Sequence, residues 1–536
     1  MLHTKRHSGL LTQPWLVAVL SLAVLAGLAV LLWSPWDRPA IASGQTLRLY
    51  CANGMRLPVA EIIRDYQDQY GVTVQPDYQG TGKLLSTMRT VHGAGDLFLA
   101  ADRADMRKAQ DLGYVAEVIP VARVTPVLVV HAQKQQALRQ AGQPVTGLQD
   151  LLRDDLKVAL ANPDETAIGT LVRDQLTSRN LWPHLQKRLN DRTQAQVSTV
   201  GTVNDVARVI RTNPDHIGFV WDATAKQLPD LEIVPTPEFS QVHEIVQIGV
   251  LKKANNPTAA LQFARYLASQ NRGLELFRKY HFDTIPDADQ WAEVPALTIF
   301  AGAMLKPAIE PILQQFQQRE GARITTNYAG CGLLVAGMKS MKQGMEKGRF
   351  PDGYVSCDIS FQEKVQQFFE AADILYKNDL VLIVPKGNPQ SIQSLHDLTR
   401  ADVLVGLPHP EKSAIGEMTD HLLRKLGLHD RVYAPDREKK VVHSSEAHTL
   451  VTQTRFGALD VAVVARSNAL SAPQNVERYL DIMNIDLTDA VATQTFAIAK
   501  DSQHKYLMKR LLQAIVAPEN VERVQAIGFE FVYQSE

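Results

Sequence analysis

The stretch Leu47-Arg48-Leu49-Tyr50-Cys51-Ala52-Asn53 returns 250 residues later as Leu297-Thr298-Ile299-Phe300-Ala301-Gly302-Ala303. Each reads as an apolar strand followed by an amphipathic helix over residues 59–66 and 309–316. Tyr78-Gln79-Gly80-Thr81-Gly82 and Tyr328-Ala329-Gly330-Cys331-Gly332 follow at the same spacing, and residues 96–102 and 352–358 are matched strands. Ala167-Ile168-Gly169 and Ala414-Ile415-Gly416 then match at a spacing of 247, as do Phe282 and Phe529, so small loop insertions account for the drift. A repeat this long is a domain duplication, because solenoid units run about 20–50 residues. Residues 46–282 form the first copy and residues 296–536 the second. Residues 283–295, with Asp and Pro and no apolar period, form the linker between them.

Within each copy, short apolar strands alternate with helical stretches, which means an α/β fold with a parallel sheet. Val127-Leu128-Val129-Val130 and Leu380-Val381-Leu382-Ile383-Val384 read as buried parallel strands, and residues 260–268 and 506–515 as covering helices. About 240 residues per copy suffice for two lobes. In open α/β sheets ligands bind beyond the C-terminal strand ends, where both Gly-x-Gly loops fall.

The chain has 536 residues, with 56 Lys+Arg against 57 Asp+Glu. That balance argues against a nucleic-acid partner, which favours a basic face. A hydrophobic fraction of 45% with 21% charged residues excludes wholesale disorder, and 3 cysteines exclude a disulfide scaffold. The longest apolar run is residues 15–33, bounded by Trp15 and Trp33. Nineteen residues at 1.5 Å rise span about 28 Å, close to the bilayer's hydrocarbon core. Lys5 and Arg6 precede it, which keeps residues 1–14 cytoplasmic and places both copies outside, tethered by residues 34–45 to a single-pass helix in the cytoplasmic membrane. A cleaved signal peptide is the alternative, since Ala40-Ile41-Ala42 has the small-x-small pattern a signal peptidase accepts. Against it, the run exceeds the usual 7–15-residue signal core.

A Gly-x-Gly turn opening a helix presents bare N–H groups and the positive end of the helix dipole, suited to a small anion held by neutral donors. A tight turn without a ligand is the plainer alternative. Gly82-Lys83 is no phosphate-binding Walker loop, because no glycine stands five positions before Gly82 and Leu84 replaces Ser/Thr. Neither His-Glu-x-x-His nor Gly-x-Ser-x-Gly occurs, so no enzyme is expected, and no cofactor or metal site. His243-Glu244 reads as a strand pair near a crossover, and His443 and His448 flank a loop-to-helix cap.

The pattern resembles the molybdate-binding proteins of ABC importers, within the type II periplasmic binding protein superfamily, and the resemblance covers both copies. The family's Ala-Ala-Ser-Leu-Lys after the first strand corresponds to Ala52-Asn53-Gly54-Met55-Arg56 and Gly302-Ala303-Met304-Leu305-Lys306. Its Gly-Ser-Gly loop corresponds to Gly80-Thr81-Gly82 and Gly330-Cys331-Gly332, and its Ala-Asp-Val-Phe-Leu-Ser-Ala-Asp strand to Gly95-Asp96-Leu97-Phe98-Leu99-Ala100-Ala101-Asp102. Val384-Pro385-Lys386-Gly387-Asn388-Pro389 is a further family phrase. The resemblance implies two tandem two-lobed domains that close around a small oxyanion by hinge motion, and an ABC permease as partner.

In the family, two hydroxyls, backbone N–H groups and a tyrosine surround the oxyanion. The resemblance therefore implies Asn53, Gly54, Thr81, Gly82, Ala167, Val203, Asn204 and Trp221 for the first copy. For the second it implies Met304, Cys331, Gly332, Ala414, Ala447 and Ala465, a set without a side-chain hydroxyl, so the second copy is a candidate for a degenerate one. If strand order follows other two-lobed binding folds, the opening strand separates Cys331 from Cys357. Two strand spacings are about 9.5 Å, beyond the roughly 7 Å Cα limit for a disulfide, so free thiols are expected. Two other readings stay open. One is a binding module for a soft metal, suited to Met304, Cys331 and His448, or for another small solute. The other is a non-transport sensor or scaffold.

Overall fold

The structure is a computed structural model that describes residues 44–190, 196–345 and 348–534. The apolar run 15–33, its flanks and the rest of the tether as far as residue 43 lie outside the described residues. Among the described residues no helix is long and apolar enough to cross a membrane.

The first copy carries strands β1 (Thr46–Ala52), β2 (Thr73–Gln79), β3 (Leu97–Ala100), β4 (Val115–Val124), β5 (Pro126–His131), β6 (Lys157–Ala161), β7 (Val197–Val200), β8 (His216–Trp221), β9 (Leu231–Val234), β10 (Glu244–Leu251) and β11 (Asp283–Thr284). They form two sheets, ordered β11-β4-β10-β3-β1-β2 in one lobe and β7-β6-β8-β5-β9 in the other. The second copy carries β12 (Ala296–Gly302), β13 (Arg323–Ala329), β14 (Gly353–Ser356), β15 (Asp373–Pro385), β16 (Val405–Pro408), β17 (Val441–Ser444), β18 (Val461–Ala465), β19 (Leu480–Asn484), β20 (Val491–Ile498) and β21 (Glu530–Phe531). Here the two lobes share one continuous path, β13-β12-β14-β20-β15-β18-β16-β17, because β15 runs through both.

Each opening strand pairs in parallel with its two neighbours: β1 with β2 and β3, β12 with β13 and β14. The expectation that residues 127–130 and 380–384 are parallel strands is corrected. β5 runs antiparallel to β8 and β9, and the second half of β15 antiparallel to β18 and β19. These are the crossover strands. Each enters its second lobe from the first and so meets that lobe's own strands head to tail, and burial on both faces gives the same apolar run in either direction.

Helices cover the sheets with the apolar stripes their spacing sets. The helix Arg56–Tyr70 buries Val59, Ile62, Ile63 and Tyr66 and stops at Gly71, whose φ of 66° an L side chain rarely adopts. The helix Lys306–Glu320 repeats that design with Ile309, Ile312, Leu313 and Phe316 buried, ending at Gly321.

The two copies meet over a buried charge cluster. Glu320, 1% exposed, accepts from Arg510 Nε at 2.7 Å and from Arg265 Nη1 at 3.0 Å, and its carbonyl takes a second bond from Arg265. Arg319 and Glu117 form a two-pronged pair beside it at 2.8 and 3.0 Å. Residues 283–295 pack into the same seam. Asp289 accepts the N–H groups of Tyr506 and Leu507, and Trp291 Nε1 donates to Tyr70 Oη at 3.0 Å.

Candidate functional site

In the first copy the cleft lies between the lobes, where three helix starts converge. These are Thr81–Thr90 after β2, Ala167–Thr177 after β6 and Val203–Thr212 after β7. Asn53, Gly54, Thr81, Ala167, Val203 and Trp221 all line it, whereas Gly82 and Asn204 do not. None of the lining residues is charged. The cavity is about 20 Å³, enough for a water-sized group.

Thr81, 2% exposed, sits at the floor and accepts the Ala101 N–H at 3.4 Å. Helix starts leave their first N–H groups without intrahelical partners. Lys83 gives its N–H to Glu165 O in the opposite lobe and Leu84 to Gly80 O, so those of Thr81 and Gly82 are the donors the helix start leaves over. Trp221 closes the back wall. A Cβ on Gly54 would stand 3.1 Å from Trp221 Cδ1 and 3.3 Å from Val203 Cγ1, so the indole fills the space that a residue-54 hydroxyl would take.

The lobes are latched shut by side chains. Asn53 Nδ2 donates to Thr202 Oγ1 at 3.1 Å, and Asn204 Nδ2 donates to the Asn53 carbonyl at 2.9 Å. Asn204 thus acts as a latch across the cleft rather than as part of its wall. The glycines have a role that the sequence reading did not give them. A Cβ on Gly80 would overlap Glu165 O, and one on Gly82 would lie 3.2 Å from it, so both let the opposite lobe's backbone approach. Gly330 and Gly332 repeat this against Lys412 O and Glu411 O. Two further lining residues, Thr166 and Thr202, escaped the sequence reading. Each caps a helix through its hydroxyl, and Thr202-x-x-Asp205 before an apolar run was the available signal.

Beside the floor, Asp102 caps the helix Arg103–Asp111 through Oδ1, while its buried Oδ2 has no hydrogen-bond partner. Burial, then the charge of Asp105, push its carboxyl from 3.8 up to about 7. A carboxyl raised in the folded state favours folding while protonated. That contribution is complete below pH 3.8 and is lost as pH rises through 7. Asp102→Asn, which keeps a capping oxygen, is expected to stabilise the protein by on the order of 2 kcal/mol at pH 8 and negligibly at pH 4, read by chemical denaturation at both pH values. An equal effect at both would contradict it.

The second cleft differs in size and charge. Its volume is about 430 Å³, and Lys306, Glu310, Glu446 and His448 stand in its wall with Met304, Gly330, Cys357, Ser413, Ser445 and Ala447. Of the residues implied for this copy, Met304 and Ala447 line it, while Cys331, Gly332, Ala414 and Ala465 do not. Glu446 pairs with His448 at 3.1 Å, and Glu310 accepts from Tyr328 Oη at 2.6 Å. Lys306 and Glu310 lie one turn apart at the start of a helix whose opposite face supplied the apolar period, so the charged face drew no attention.

The separation argued for Cys331 and Cys357 does not hold. The strand order is as reasoned, with β12 between β13 and β14, and no disulfide joins any of the three cysteines in this structure. Yet Cys331 Sγ and Cys357 Sγ lie 2.6 Å apart. Both residues lie just past their strand ends, and Gly302 at the end of β12 has no side chain to keep them apart. A Cβ there would overlap Cys357 Sγ and stand 3.1 Å from Cys331 Sγ. Among the described residues no group of three or more His, Cys, Asp or Glu could hold a metal ion.

The sequence profile described as "bacterial extracellular solute-binding protein" matches residues 47–283 and again residues 297–530. A protein of Bacillus subtilis (strain 168) named as an ABC transporter substrate-binding lipoprotein, YvgL, is 25% identical over 239 residues, 44% of this chain and 86% of that one. Among solved structures, the Azotobacter vinelandii periplasmic molybdate-binding protein is 17% identical and matches 45% of this chain and 100% of its own, with a TM-score of 0.37. The sulfate-binding protein SubI from Mycobacterium tuberculosis H37Rv is 16% identical over 44% of this chain and 87% of its own, with a TM-score of 0.37. With one match to each two-lobed unit and nearly all of the described chain inside them, this polypeptide belongs to the bacterial extracellular solute-binding protein family.

Proposed function

We propose that the protein captures a small oxyanion of the molybdate and tungstate class in its first cleft and delivers it to an ABC permease. The apolar run 15–33 holds it at the outer face of the cytoplasmic membrane. The observation that carries this reading is a neutral cleft with the Thr81 hydroxyl at its floor and three helix starts around it. Such a site holds an anion by dipoles and hydrogen bonds without a counter-charge. The Thr81 hydroxyl, the Trp221 indole and the N–H groups of Thr81, Gly82 and Val203 are the donors. The latched cleft, at about 20 Å³, holds no more than a water-sized group, so the Asn53–Thr202 and Asn53–Asn204 latches part to admit the oxyanion and the lobes close around it set wider than in this form.

The second cleft favours a different solute. Two carboxylates, Glu310 and Glu446, would repel a dianion, whereas with Lys306 they suit a solute bearing a positive group.

Titration calorimetry of the full chain in detergent against molybdate, tungstate, sulfate and phosphate tests the first reading. Saturable binding of molybdate or tungstate at one site per chain is expected, and no heat with any of the four would sink it. Thr81→Val removes one charge-assisted donor and is expected to weaken binding about tenfold with the stoichiometry unchanged.

A further inference from the structure

The two copies differ at their cleft floors by three linked replacements. The first has Ala52, Thr81 and Ala101; the second has Gly302, Cys331 and Cys357 at the same register positions. The hydrogen bond at this corner is kept in altered chemistry. Ala101 N–H donates to Thr81 Oγ1, and Cys357 N–H donates to Cys331 Sγ at 3.0 Å. Two sulfurs need more room than a hydroxyl and a methyl, and the missing Cβ of Gly302 supplies it. Each replacement is ordinary alone. Together they make room for the two sulfurs to meet.

We propose that Cys331 and Cys357 form a disulfide that ties the start of the helix Cys331–Lys342 to the end of β14, across the end of β12, at the floor of the second cleft. The family's members work outside the cytoplasm, where disulfides form and persist. The oxidant is a disulfide of small-thiol or oxidoreductase type, acting before the helix has packed. Cys331 as thiolate displaces one sulfur of the oxidant, giving a mixed disulfide and one thiol. Cys357, giving up its proton, then displaces the second sulfur. One S–S bond breaks in the oxidant, one forms between the cysteines, and two oxidant thiols leave with the two protons. Cys51 is buried in the other copy and takes no part.

The test uses the full chain, isolated without reductant and refolded in the presence of oxidised glutathione. It is then denatured, alkylated with N-ethylmaleimide and weighed intact. One adduct, on Cys51, is expected, rising to three after dithiothreitol, together with a tryptic cross-link joining residues 324–339 to residues 350–364. Reduction is expected to lower Tm by about 5 °C. Cys51→Ser is expected to give no adduct without reductant. Gly302→Ala, whose Cβ would overlap Cys357 Sγ, is expected to give three. If that variant does not fold, Cys331→Ser serves instead and is expected to give two. Three adducts on the unreduced wild type, or glutathione held on Cys357 without the cross-link, would overturn the proposal.

Discussion

Glu320→Gln is expected to destabilise the protein by about 3–5 kcal/mol, the range for removing one partner of a buried ion pair. The substitution keeps the shape of the side chain and deletes only its charge. What remains is two guanidinium groups facing each other, Arg265 at 7% and Arg510 at 4% exposure, with no anion between them. Burial alone would raise the Glu320 carboxyl, but the charges and hydrogen bonds of Arg510 and Arg265 prevail and hold it below its ordinary 4.5. A carboxyl depressed in the folded state adds stability above its unfolded pKa and loses it as pH falls through the folded one. The difference between wild type and Glu320→Gln is therefore expected at pH 7 and to shrink in acid below about pH 4. Urea denaturation across that range reads both. A loss under 1 kcal/mol at pH 7 would show that the triad contributes little to joining the copies.

The second large effect is at Gly80. Ala at this position puts a methyl into Glu165 O of the opposite lobe, a clash that exists only while the lobes are together. Gly80→Ala is therefore expected to penalise the shut form and leave each lobe intact. If shutting is disfavoured by about 3 kcal/mol, apparent affinity for an anion in the first cleft falls on the order of a hundredfold. A readout independent of any ligand is amide exchange at Lys83, whose N–H is bonded to Glu165 O, and it is expected to speed up. Unchanged affinity and unchanged exchange would mean that the loop yields without parting the lobes.

The duplication was legible because both copies keep their apolar strands and glycine loops at fixed spacings, and those spacings survive as matched strands from β1 and β12 onward. The direction of the crossover strands was not legible, since residues 127–130 and 380–384 are buried on both faces and carry no polar mark. Asn53, Thr81 and Trp221 could be placed at one cleft through the family pattern, but their roles could not. That Gly80 admits a carbonyl, or that Asn204 reaches across to Asn53, depends on the partner lobe, which no local pattern contains. Cys331 and Cys357 failed for a geometric reason. Strand spacing measures the distance between backbones inside a sheet, and these side chains meet beyond its edge, over a residue that has none.

The outward crossing from the first lobe to the second is built differently in the two copies. In the first copy β4 and β5 are separate strands parted at Thr125, and β5 opens with Pro126, which has no N–H to give to a ladder. In the second, β15 is one strand of 13 residues, paired on both sides of the crossing. One chain thus holds a jointed arm and a girder. On the proposed function, the jointed arm would let the first copy open and shut more easily than the girder lets the second.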